Sequence, residues 1–152
     1  MEQFFEDYLG RLRDLHEELE ATFSNLPQEA LDWIPGEDMN SLVVLVSHVA
    51  GVERFWIGLM ALNDAPLPRS RDMEFEMKGL SETELKERLA ASEAYARAGL
   101  ERLTLSDLAE MRRTPRGTPF SVGWSLLQAL DHTGIHVGHA QMNRQLWDQR
   151  QK

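Results

Sequence analysis

Apolar residues recur every three or four positions through four long stretches of this chain, and nowhere does a run alternate strictly between apolar and polar residues. Three-and-four spacing draws one apolar stripe along a helix, whereas a half-buried strand needs alternation. In the first run the stripe is Phe4, Phe5, Tyr8, Leu9, Leu12, Leu15, Leu19, Phe23 and Leu26, ended by Pro27. The second covers residues 41–62, "SLVVLVSHVAGVERFWIGLMAL", and extends to about Asn63. Asn40 or Ser41 can cap it with a short side-chain oxygen. The third opens on "SETE", Ser81 to Glu84, a capping box. Its stripe is Leu85, Leu89, Tyr95 or Ala96, and Leu103. The fourth opens at Thr118 or Ser121 and reaches Trp147. Four such segments predict an all-α chain, folded as an antiparallel four-helix bundle.

The connections are polar and punctuated. "PQEALDWIPGEDMN" has two prolines and Gly36, with Leu31, Trp33 and Ile34 expected to tuck against the bundle. "DAPLPRSRDMEFEMKG" is a long connection with two more prolines, and "MRRTPRGTPF" is a second loop. Residues 41–62 are long enough to span a bilayer. Glu53 and Arg54 fall in the middle, however, where each charge costs roughly 2.5–3.5 kcal/mol. The run is expected to be a core helix, with no membrane partner.

At 152 residues the chain fits a single domain, 1–152. It contains no cysteine, which excludes disulfides, cysteine–zinc sites and a thiol nucleophile of its own. A net charge of −9 argues against a nucleic-acid partner, because phosphate binding needs clustered Lys and Arg. The one basic knot is "RRTPR", residues 112–116. The opening "MEQFFEDYLG" is acidic where a secretory signal is positive, so a cytoplasmic location is expected.

Three of the five histidines fall within residues 132–139, inside the fourth amphipathic run. At about 100° per residue, His136 lies near +40° from His132, His139 near −20° and Gln128 near −40°, all on one face. On the second helix His48 sits centrally in an apolar stripe with Val44, Val52 and Phe55, while Glu53 and Arg54 turn away from it. Taken alone, His48 reads as a satisfied core histidine. Two histidines at i and i+4 on a separate core face change that, since the spacing aims two imidazoles at one ion. Bundle cores are a usual place for such sites.

Which three histidines bind stays open at this point. His132 and His136 form a pair that His48 can complete; His139 can replace one of them, support them from outside or stand by. His16, at the border of the first stripe, reads as structural or exposed. Gln128 can line a pocket or satisfy a buried polar neighbour. Trp56 and Trp124 read as core packing, and Arg112, Arg113 and Arg116 as a solvated loop or a holder for a carboxylate. No carboxylate lies clearly on either histidine face, so no general base is named and the catalytic residues are unknown.

In "LDWIPGEDMNSLVVLVSHVAGVERFWIG" and "TPFSVGWSLLQALDHTGIHVGHAQMNRQL", with its H-x-x-x-H-x-G, the chain resembles the DinB-like (YfiT-like) superfamily of metalloenzymes. Position by position, the family's metal triad falls on His48, His132 and His136. The residue after the motif's glycine, often Gln in the family, is His139 here. The resemblance implies a four-helix bundle holding a divalent ion such as zinc or nickel, often as a dimer. Its characterised members are thiol-dependent, including mycothiol-dependent isomerases and bacillithiol transferases.

Three neutral imidazoles leave an ion with at least one open position, the pattern of catalytic sites. An ion so held can activate a low-molecular-weight thiol or water. The expected function is therefore a metal-dependent enzyme, a thiol-dependent transferase or hydrolase, acting on a small-molecule substrate. The alternative is a non-catalytic metal-binding buffer, sensor or interaction module, which a closed four-histidine site would favour. An exposed apolar stripe on the first or third helix would favour a homodimer.

Overall fold

A computed structural model describes residues 1–65 and 71–150 of the chain. In chain order the elements are α1 (Gln3–Phe23), the short α2 (Gln28–Asp32), α3 (Leu42–Glu53) running on into a π-helical segment (Arg54–Ala61), and α4 (Arg71–Phe75). Next come α5 (Glu82–Leu100), a 3₁₀ turn (Leu105–Ala109), the strands β1 (Met111–Arg113) and β2 (Pro119–Ser121), and α6 (Val122–Arg150). Helix α1 packs on α5 and α6, and α3 packs on the same two helices, making an all-α bundle.

The start signals act as expected. Ser41 Oγ accepts the Val44 N–H at 3.2 Å, and Ser81 with Glu84 forms the reciprocal capping box. Of the two candidates for opening α6, Ser121 does so, accepting the Trp124 N–H at 3.1 Å. Helix α1 stops at Phe23, and Asn25 turns the chain with a φ of 60° before Pro27 is reached.

Several expectations are corrected. The segment expected as a loop, 111–120, forms with Ser121 an antiparallel hairpin, pairing Met111 with Ser121, Arg112 with Phe120 and Arg113 with Pro119. Strands of three residues are too short for alternation to register as a pattern. Ile34 is 58% exposed: Trp33 turns its ring onto Trp147, 5.5 Å away, which leaves the next residue facing out. Phe4 is also exposed, while Tyr95 is only half-buried, so Ala96 carries the α5 stripe. Pro66 and Pro68 of the long connection lie outside the described residues. Exposed apolar residues at helical spacing occur on α6, at Trp124, Leu127, Ile135 and Met142.

The run Leu42–Ala61 is long and apolar enough to cross a membrane, yet most of it is buried inside the fold. Every residue from Leu42 to Val49 is buried, so α3 is a central helix covered on all sides. Glu53 is correspondingly only 1% exposed. It points away from the His48 face, as its helical angle requires, but that direction leads into the bundle. Its carboxylate accepts from His16 Nε2 at 2.9 Å, Ser92 Oγ at 2.5 Å and Thr133 Oγ1 at 2.9 Å. These four residues form a polar layer between two apolar clusters, one around Leu19, Val46, Leu89 and Val137, the other around Leu9, Ile57, Leu100 and Leu126.

Beyond Glu53 the helix widens into its π segment. The Trp56 carbonyl is served by Ser125 Oγ at 2.7 Å, and the Leu62 N–H reaches Ile57 O at 2.9 Å. Gly58 sits where a methyl group would overlap the Tyr95 hydroxyl, so a Cβ here would force the Tyr95 side chain of α5 to shift.

Candidate metal centre

Two elements bring the candidate ligands together. Helix α3 presents His48, 5% exposed, and α6 presents His132 and His136, half-buried and one turn apart. His132 Nε2 lies 3.1 Å from His48 Nε2 and 3.0 Å from His136 Nε2. One ligand atom from each of the three lies within 4.8 Å of the others. Metal–nitrogen bonds of about 2.0–2.1 Å put neighbouring ligand atoms roughly 3.4 Å apart in a tetrahedron and about 2.9 Å apart in an octahedron. The two spacings at His132 Nε2 fall between these values.

The donor set fits a cation on chemical grounds as well. A neutral imidazole has one ring N–H and one lone pair, so three ring nitrogens this close cannot all be paired by hydrogen bonds among themselves. A cation bound by three lone pairs satisfies all of them. The imidazole of His136 is held neutral: burial first, then the neighbouring His132, His48 and His139 rings, push its pKa down to about 3. The three-histidine group can thus hold a metal ion.

The remaining candidates divide. His139 is exposed, with its Nδ1 3.4 Å from His136 Nδ1, at the edge of the group rather than in it. Gln128 is half-buried, one turn before His132. His16 is not exposed but buried at 3%, bound to Glu53 in the polar layer. Trp124, expected as core, is 47% exposed and meets Trp56 edge-on at 5.4 Å. Arg112 pairs with Glu110 at 2.7 Å and Arg113 donates to Gly117 O at 2.8 Å, so both are engaged on the hairpin. The cavity they line with Leu59, Met60, Asn63, Pro115 and Phe120 includes no histidine. From the start of α6 to His132 is about 15 Å along the helix.

One residue escaped the sequence. Glu74, in α4, is 8% exposed, and its Oε2 lies 3.1 Å from His48 Nδ1. No carboxylate was expected on either histidine face, and this one reaches the site from a different element. A helical angle compares only residues of one helix, and Glu74 arrives from a separate five-residue element in a segment that reads as polar loop. Beside it the Phe75 ring lies 5.1 Å from the His48 ring.

A family model described as the DinB superfamily matches residues 11–140, a span that includes all three histidines. A conserved protein from Enterococcus faecalis has a similar crystal structure, with a TM-score of 0.78 at 18% identity over 96% of this chain and 98% of that one. A mutant of a mycothiol-dependent maleylpyruvate isomerase is similar at a TM-score of 0.64 and 15% identity, over 90% of this chain and 62% of the isomerase. At such identities the likeness is one of fold. No curated protein matches the chain.

Proposed function

The chain belongs to the DinB superfamily, and from that premise we propose that His48, His132 and His136 hold one divalent ion, zinc or nickel, in a thiol-dependent transferase or hydrolase acting on a small molecule. The convergence of three imidazole nitrogens on one point, from two helices, is the observation that carries this reading. The ion supplies Lewis acidity, which brings the pKa of a low-molecular-weight thiol or of water beside it toward neutrality. A chain without cysteine needs such a thiol from outside. The resemblance of the fold to a mycothiol-dependent enzyme supports the thiol over water alone.

The chain's own residues supply the rest. His136, neutral far below physiological pH, keeps its lone pair available. Phe75 gives the His48 ring an apolar neighbour. Gln128 and His139 border the pair, one turn before His132 and three residues after His136, and line the approach rather than ligate. The exposure of His139 favours this open arrangement over the closed four-histidine site of a metal buffer.

Cobalt substitution tests the chemistry. The visible spectrum of the cobalt protein is expected to shift when a small thiol is titrated in, and the shift should be absent in His132→Ala. A cobalt spectrum that ignores every thiol and small anion offered would remove the enzymatic reading and leave the metal-binding one.

A further inference from the structure

Glu74 lies outside the three-histidine group but touches one member of it. Its carboxylate and the His48 ring are both buried, and Oε2 faces Nδ1 at 3.1 Å. A carboxylate accepts hydrogen bonds, so this contact calls for a ring hydrogen on His48 Nδ1, and a His48 that ligates an ion carries none on Nε2. Nε2 is then left with its lone pair, and this is the atom that faces His132 Nε2. Resting on the metal site proposed above, we propose that Glu74 is a positioning residue: it fixes the tautomer and ring orientation of His48 and thereby raises the affinity of the site for its ion.

The local fold is arranged to deliver this carboxylate. Helix α4 packs on α3. Just after it, Met77 and Leu80 anchor the chain against the same apolar cluster that surrounds Val46 and Val49. Between them Gly79 turns with a φ of 76°, and its N–H donates to Asp32 Oδ1 at 2.8 Å. The Met77 N–H reaches back to Glu74 O at 3.4 Å. A residue on a solvated loop would need none of these ties. Removing the carboxylate leaves a buried Nδ1–H without this acceptor, and the other tautomer or a flipped ring then competes with the productive one. Outer-shell partners of metal-binding histidines are typically worth about 10–100-fold in metal affinity.

Two readouts on wild type, Glu74→Ala and Glu74→Gln test the proposal. Ring nitrogen chemical shifts of His48 in metal-free protein report its tautomer, and competition with a chromophoric chelator reports zinc affinity. In wild type the hydrogen is expected on Nδ1. In Glu74→Ala the tautomers should mix, and zinc affinity should fall about 10–100-fold. Glu74→Gln keeps an acceptor oxygen but adds a donor that can pair with the other tautomer, so it is expected to fall between wild type and Glu74→Ala in both readouts. An unchanged tautomer in Glu74→Ala overturns the proposal, as does unchanged zinc affinity in that variant when wild type binds zinc. If wild type takes up no zinc, the metal site itself fails, and the His48 tautomer alone decides whether Glu74 positions the ring.

Discussion

At the centre of the bundle one carboxylate, Glu53, accepts hydrogen bonds from α1, α5 and α6 through His16, Ser92 and Thr133. Burial by itself lowers the His16 pKa. The hydrogen bond to Glu53 and the charges of Glu53, Glu93 and Glu20 outweigh burial and hold the pKa above its usual value. The folded chain therefore keeps a proton that the unfolded chain releases near pH 6.5 (approximately). Stabilisation from this pair is complete below that pH and is lost as pH rises through the folded-state pKa. The difference in unfolding free energy between wild type and His16→Gln, measured in urea on metal-free protein, is expected to shrink as pH is raised through that window. A difference that stays constant or grows would show that His16 is not protonated in the fold. His16 and Glu53 were legible in the sequence only as a border residue and an outward charge. The wheel fixes where a residue points along its own helix but not which helix lies in that direction.

At the scale of elements, the caps at Ser41 and Ser81 and the stripes of α1 and α5 could be read directly, because they depend on neighbours within a few positions. The π segment could not. It arises where α3 passes Glu53 and must meet both α5, through Gly58 and Tyr95, and α6, through Ser125. Tyr95 is itself fixed there, its hydroxyl donating to Asp64 at 2.5 Å while the Arg54 guanidinium covers its ring at 3.3 Å. Gly58→Ala is expected to cost about 1–3 kcal/mol through overpacking. The clash is with the Tyr95 hydroxyl first, so the same substitution in a Tyr95→Phe background should cost less. Equal costs in the two backgrounds, by denaturant titration, would contradict this packing. The hairpin at 111–121 and the short α4 were missed for a different reason: elements of three to five residues carry less than two periods of any pattern.

For the whole molecule, the bundle followed from the four apolar runs, and the DinB resemblance followed from a few residues on two of them. The i and i+4 spacing of His132 and His136 was visible as a pair. Its meeting with His48 depends on how α3 and α6 pack, a contact between residues 84 positions apart. The candidate site was thus legible as a set of residue types, while its edge was not: Glu74 and Phe75 come from the chain between α3 and α5, which no helical pattern ties to the histidines. The proposed function rests on one ion that joins the two helices through these three side chains. It is tested most directly by elemental mass spectrometry of untagged protein, comparing wild type with His48→Ala and His136→Ala after exposure to zinc and to nickel. We predict close to one ion per chain in wild type, lost in both variants. A wild type that remains metal-free, or variants that retain the ion, would rule out a shared three-histidine site.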